Sequence, residues 1–247
     1  MERAATARER GLGAGSVAEL SAASGLPLTI FRAEHVEERI ERALAAEGVG
    51  SRAELAGRMR GDGGARSRFR RAVAVSHSGF FRDPEQFEAL QRRILPAMLE
   101  HSRRLRVWSA GCANGLELRS VAVVLSRLGA LDRAYLLGSD LLEENLAVAR
   151  AGVYDGADEM TVPMRGRSRW EQRDLVEDPP PGGRWDVVLC RNVAIYLDPA
   201  AKGRLHRTLA GVLPAGGVLV VGRSERLSDP AALGLRRVEP HVYQRPR

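Results

Sequence analysis

The chain has 247 residues, of which 44% are hydrophobic and 28% charged, the proportions of a folded globular protein and not of a disordered one. That length accommodates one full-size domain and a small satellite, and no apolar run approaches the ~20 residues that span a bilayer, so no membrane insertion is expected. A charged, Gly-containing start without an apolar core argues against a secretory signal. Two cysteines, Cys112 and Cys190, are too few for a disulfide framework or a four-ligand zinc site, so no metal is expected and a reducing cytoplasm is the expected location. Net charge is +7, with 38 basic residues of which Lys202 is the only lysine. Such a balance favours acidic partners, yet the sequence carries no helix-turn-helix, zinc-finger or RNA-binding aromatic motif. Nucleic acid is not an expected partner.

In chain order, residues 1–14 read as a frayed polar start. Helical patterns follow at Ser16–Ser24, Ala33–Ala46 and Ser51–Met59. In the second, Val36, Ile40, Ala43 and Leu44 recur at helical spacing, with Arg32, Arg39 and Arg42 elsewhere around the wheel. Ser51 and Glu54 form a capping-box pattern, and Gly61-Asp62-Gly63-Gly64 reads as a turn or hinge. The expected division is a helical domain over 1–75 and a second domain over 76–247.

From Leu105 short apolar runs alternate with helical segments. Strands are expected at Leu105–Ser109, Ala134–Ser139, Trp185–Cys190 and Val218–Gly222, with helices at Leu116–Leu128, Glu143–Ala151 and Lys202–Leu213. A closing pair of short strands is expected at Leu235–Val238 and His241–Gln244. This alternation predicts a doubly wound α/β domain around a parallel sheet.

Two features carry chemistry. The small-residue run Gly111-Cys112-Ala113-Asn114-Gly115 stands between a strand and a helix, where backbone can approach a ligand. Taken alone it is also compatible with a simple tight turn. Asp140 ends the next strand, the place where nucleoside-binding folds put an acid against the ribose hydroxyls, or where an acid caps the following helix. Together they point to an adenosine-containing cofactor, and the lack of a phosphate cradle favours S-adenosylmethionine (SAM) over a dinucleotide.

The blocks SHSGFFRDPEQFEAL at 76–90, VWSAGCANGLELRS at 107–120, LLGSDLLEENLAVARAGVY at 136–154, WDVVLCRNVAIYLD at 185–198 and LPAGGVLVVGRSE at 213–225 resemble the CheR family. These are SAM-dependent glutamate O-methyltransferases of chemoreceptors. The resemblance covers most of residues 70–225 and implies a Rossmann-like class I methyltransferase sheet with a small all-helical leading domain. It implies Arg82 and Tyr196 as catalytic residues and Arg82, Gly111, Asn114, Glu117, Asp140, Asp174, Leu175, Arg191, Asn192 and Tyr196 around the cofactor. Ser76 and Ser78, also implied as cofactor-binding, stand where the family has Asn and Thr ahead of FFR. Arg119 replaces a usual aromatic, and only 19 residues separate Tyr154 from Asp174, fewer than chemotaxis members have. The implied acceptor is an acidic protein segment such as a receptor helix, docked on Arg39 and Arg42. A small-molecule acceptor, or a regulator that binds SAM or S-adenosylhomocysteine without turnover, are the alternatives.

Overall fold

The computed structural model describes residues 14–75, 79–154 and 167–247, with side chains described from residue 17 onward. Two compact units divide the chain. One runs to Val75 and includes Tyr196–Asp198; the other comprises Ser76–Ile195 and Pro199–Arg247.

The first unit is built from α1 (Ala14–Ser24), α2 (Ala33–Glu47), α3 (Arg52–Gly61) and α4 (Gly63–Ala74). Leu20, Val36, Ile40, Leu55, Met59, Phe69 and Val73 form its buried apolar set. Gly48, at φ 65°, ends α2 in the left-handed conformation that glycine adopts without penalty. Ser51 accepts from the Glu54 N–H at 3.2 Å, and the Glu54 carboxylate accepts from Gly50 at 2.8 Å, so the cap is reciprocal but displaced by one residue. The expected hinge at 61–64 is corrected: Gly61 closes α3 and Gly63 opens α4, with Asp62 alone between them. Asp62 accepts from the Gly64 N–H at 2.7 Å, and this side-chain cap outweighs the poor helix propensity of the paired glycines.

The basic face expected on α2 is likewise corrected. The helix carries five glutamates and two arginines. Arg42 pairs with Glu38 and Arg32 with Glu34, which leaves alternating charge instead of a cationic stripe. The segment Tyr196–Asp198 joins this unit through an antiparallel bridge between Phe31 and Leu197.

The second unit contains a seven-stranded sheet. Its strands are β1 (Leu105–Ala110), β2 (Ala134–Asp140), β3 (Ser168–Gln172), β4 (Val187–Cys190), β5 (Val218–Val221), β6 (Arg236–Glu239) and β7 (Val242–Gln244), in the order β3-β2-β1-β4-β5-β7-β6. The first five are parallel, while β7 runs antiparallel to both β5 and β6. Fully buried runs at β4 (VVLC) and β5 (VLVV) are what a sheet covered on both faces requires. Helices α5 (Pro84–Ala89), α6 (Leu95–Leu99), α7 (Leu116–Arg127), α8 (Glu143–Ala151) and α9 (Pro199–Gly211) complete the unit. A π-helical turn at Leu90–Ile94 links α5 to α6. Leu118, Val121, Ala122 and Leu125 of α7 join Val107, Leu136, Val187, Leu189 and Val218 in the core.

From β1 the chain winds outward through β2 and β3, then returns to β4 on the other side. The reversal opens a crevice at the carboxyl ends of β1 and β4, the usual ligand position in such sheets. Among the described residues, no helix is long and apolar enough to cross a membrane, and no His/Cys/Asp/Glu group suits a metal ion.

One buried titratable group lies away from that crevice. Burial, reinforced by the charge of Lys202, lowers the pKa of His206 on α9 from 6.5 to about 4. The unfolded chain therefore binds more protons between those values, and stability falls as pH drops through that window. The full effect is at most about 3 kcal/mol. Urea midpoints at pH 7 and pH 4.5 should diverge in the wild type, and His206→Leu should narrow that gap.

Candidate active site

Three loops meet at the crevice. The first, Gly111–Gly115, is tied to β2: the N–H groups of Gly111 and Cys112 both donate to the Ser139 carbonyl, at 2.8 and 2.9 Å. Gly111 has φ 80°, and a Cβ there would come within 2.5 Å of Val193 Cγ2, so packing and backbone both demand glycine. At Gly115, φ 88°, a Cβ would meet Ala149 and the Trp170 ring at 2.8 Å. The Trp170 ring also covers Gly138, where a Cβ would stand 2.4 Å from it.

Asp140 locks this loop in place. One carboxylate oxygen accepts from the Ala113 N–H at 2.9 Å; the other accepts from the Leu142 N–H and Asn145 Nδ2, each at 2.9 Å. Asp140 thus does part of what a capping acid does while also holding the glycine loop. It is buried, and burial raises its pKa against the opposing pull of those three donors. Beside it, Asn114 Oδ1 is buried with no hydrogen-bond partner. An orphaned acceptor in a site walled by bare glycines fits a ligand bearing a donor, as the ammonium of the SAM methionine end does.

The second loop carries Phe80-Phe81-Arg82-Asp83-Pro84. Phe81 (φ 47°) and Asp83 (φ 57°) flank Arg82 in left-handed conformations, as do Ala113 (φ 47°) and Asn192 (φ 60°) in the other two loops. Each such position costs a non-glycine residue on the order of 1–3 kcal/mol, and such strain concentrates at functional sites. The Phe81 N–H donates to Ser120 Oγ at 2.9 Å, and the Phe81 ring meets Phe87 edge-on at 5.3 Å. Arg82 itself is exposed.

The third loop begins at Arg191, whose guanidinium is almost fully buried. It donates to Gln86 Oε1 at 2.6 Å, Glu117 Oε2 at 3.3 Å, Asp83 Oδ2 at 2.9 Å and the Arg82 carbonyl. Arg191 therefore pins the Arg82 loop to α7 and to the end of β4. Glu117 also accepts from Ser109 Oγ at 2.7 Å; burial raises its pKa and Arg191 opposes the rise. The thiols of Cys112 and Cys190 are pushed well up by burial, which suits packing and not nucleophilic work.

A small cavity of about 20 Å³ lies among these loops and brings Arg82, Gly111, Glu117, Arg191 and Asn192 together. Leu175 extends toward the same glycine, its Cδ1 3.7 Å from the position a Gly111 Cβ would take. The Arg173 N–H donates to the Asp140 carbonyl at 2.9 Å, which lays the start of the next loop along the end of β2. Asp174 Oδ1 there accepts from the N–H groups of Val176 and Glu177, at 2.8 and 3.2 Å. Ser76 and Ser78 lie outside the described residues. Tyr196 belongs to the first unit, where its ring centroid is 4.9 Å from that of His35.

Sequence reasoning missed the residue that organises the third loop. Glu225, 1% exposed, accepts from four backbone N–H groups: Asn192 and Gly222 at 2.7 Å, Ala194 at 2.8 Å and Val193 at 3.1 Å. The only signal was its place at the end of LPAGGVLVVGRSE. Gln86, which bridges Arg191 to the Val221 carbonyl at 2.9 Å, was equally silent. The departure at Arg119 is accounted for: it donates to the Tyr154 hydroxyl at 3.0 Å and to the Ala149 carbonyl at the end of α8. Tyr154 in turn donates to the Asn114 carbonyl at 2.6 Å.

Comparison with known proteins agrees with this architecture. The family model described as CheR methyltransferase, SAM binding domain, matches residues 76–170 and 160–239. The chain is 32% identical over 189 residues to a probable chemotaxis protein methyltransferase of Rhizobium etli, covering 64% of this chain and 70% of that protein. It is 28% identical over 240 residues to a chemotaxis protein methyltransferase of Listeria innocua, covering 89% and 91% respectively. Chemotaxis protein methyltransferase 1 of Pseudomonas aeruginosa is 30% identical over 225 residues, covering 78% of this chain and 82% of that one. With the SAM-binding blocks, the seven-stranded sheet and the strand-end crevice in agreement, this chain belongs to the CheR family of SAM-dependent methyltransferases.

Proposed function

We propose that the enzyme, acting in the cytoplasm, methylates a glutamate carboxylate of a protein acceptor, an acidic receptor helix. The observation that carries the reading is the buried Asp140 locked to the Gly111–Gly115 loop, with the unpaired Asn114 oxygen beside it. Its acceptor half draws support from the chemotaxis methyltransferases that the chain resembles. SAM, when bound, supplies an electrophilic methyl group on a sulfonium. Asp140 would hold its ribose, Asn114 and Glu117 its methionine end, and Asp174 and Leu175 would border its adenine.

A glutamate of pKa near 4.3 is already ionised at neutral pH, so the acceptor needs alignment and desolvation but no strong base. This suits a site whose own buried carboxylate, Glu117, is held by Ser109 and Arg191 and is not presented as a base. Arg82 is the group that orients the acceptor carboxylate, since its planar fork matches two oxygens. Tyr196 is retained as an acceptor-side hydroxyl on the strength of the CRNVAIYLD block.

Asp140→Ala should weaken SAM and S-adenosylhomocysteine binding at least tenfold in calorimetry, because a charge-assisted hydrogen bond contributes about 1.5–3 kcal/mol. Unchanged affinity in a folded variant would remove Asp140 from the cofactor site. For the acceptor, the protein is incubated with methyl-labelled SAM and a lysate of its source. Base-labile label in protein supports a carboxyl ester. Label confined to solvent-extractable material would replace the protein acceptor with a small molecule, the reading that the short 155–173 segment favours.

A further inference from the structure

A second recess opens at the other end of the sheet, at the amino ends of β1 and β2. Its volume is about 820 Å³, within the ~300–1,000 Å³ range of small-molecule sites. Five arginines from four stretches of chain line it, Arg104, Arg106, Arg133, Arg167 and Arg184, against two acids, Asp132 and Asp186. Arg167 is spoken for by Asp132. Three others hold their guanidinium groups on main-chain carbonyls: Arg106 on Gly182, Arg184 on Gly211 and Leu213, Arg133 on Leu99, Ser102 and Arg103. Among the described residues, none of these three pairs with a carboxylate. A carbonyl orients a guanidinium without cancelling its charge, so among the described residues these three arginines keep charges that no carboxylate pairs, while Asp186 in the lining accepts from the Arg106 main-chain N–H at 2.8 Å.

Its aromatic wall is equally deliberate. Arg106 lies over the buried Trp185 ring at 4.2 Å and over one face of Tyr135 at 5.6 Å, and the two rings meet at 5.9 Å, tilted 37°. Gly183, at φ 87°, leaves room for it, since a Cβ there would fall 2.0 Å from Arg106 Nη1. Tyr135 remains 40% exposed at the lining of the recess, a large ring that the fold has not buried. A flat apolar ring next to guanidinium forks suits a ligand with a base to stack and phosphates to grip.

We propose that this recess binds a nucleoside di- or triphosphate, at a site separate from the methyl-transfer crevice. A free phosphate would use the arginines and ignore Tyr135; a nucleotide would use both. The test is calorimetry on the full chain saturated with S-adenosylhomocysteine, so that the cofactor site is filled, with GTP as titrant and pyrophosphate and guanosine as separate arms. GTP should bind more tightly than either. Arg104→Glu combined with Arg184→Glu should weaken GTP tenfold or more at low salt and leave S-adenosylhomocysteine affinity unchanged. Tyr135→Ala should bring GTP down to the pyrophosphate level without altering pyrophosphate itself. If the double variant loses S-adenosylhomocysteine binding, Arg104→Glu alone, at an exposed position, reads the same effect at threefold or more. Absence of GTP binding at millimolar concentration, equal affinity in the charge-reversed variants, or pyrophosphate binding as tight as GTP would each overturn the proposal. Displacement of GTP by short polyglutamate at matched charge would overturn it in favour of an acidic-peptide surface.

Discussion

Glu225→Ala should destabilise the protein by about 3–5 kcal/mol, among the larger effects any single substitution produces. Four buried N–H groups converge on that carboxylate. Each donor left without an acceptor costs about 1–3 kcal/mol, reduced where water enters the space. Glu225→Gln separates charge from shape. The amide retains one acceptor oxygen, while its NH2 group confronts two N–H donors, so about 2–3 kcal/mol is expected. Denaturant midpoints read both variants. A loss below about 1 kcal/mol for alanine would mean that the loop finds other acceptors. Methyl transfer should fall further than stability alone explains, because the same N–H groups fix Asn192 in its left-handed conformation.

Removal of Arg191 should have a comparable effect through a different mechanism. Arg191→Met leaves Glu117, Asp83 and Gln86 facing an empty position, and breaking one side of a buried ion pair costs about 3–5 kcal/mol. A second change, Glu117→Gln, should recover part of that loss, since a neutral amide tolerates burial better than an unpaired carboxylate. The coupling between the two, measured by a double-mutant cycle, is expected at about 1–3 kcal/mol. Additive losses would show that Glu117 takes its stability from Ser109 and not from Arg191.

The contrast between these residues and the ones the sequence exposed has a physical basis. Strands β1, β2, β4 and β5 were legible because doubly buried strands must be continuous apolar runs, as in Val218–Val221, whereas the edge strand β3 (SRWEQ), only partly buried, has no such run and was not expected. Gly111 and Asp140 were legible because a tight approach and a strand-end acid each narrow the choice of residue. Glu225 was not, since an acid that serves main-chain donors has no fixed sequence partner, and its loop lies 31 to 33 residues away. Helix α4 was hidden for the opposite reason: local glycine content argued for a turn, and a single aspartate cap outweighed it. The arginines of α2 misled because a helical wheel drawn for cations ignored the glutamates interleaved with them.

Trp170 offers an optical consequence. Its indole rests on Gly138 and on Gly115, the residue after Asn114 with its unpaired Oδ1, whereas Trp108 and Trp185 are buried with their ring centroids 6.1 Å apart. Trp170 is thus the tryptophan whose ring packs on Gly115, in the Gly111–Gly115 loop proposed to hold the cofactor. Its emission should respond when S-adenosylhomocysteine settles against that loop, and Trp170→Phe should abolish the change while the other two continue to report folding. With the cofactor on that loop as proposed, the bare glycine seat would make the enzyme its own fluorescent sensor of cofactor occupancy, with no dye attached.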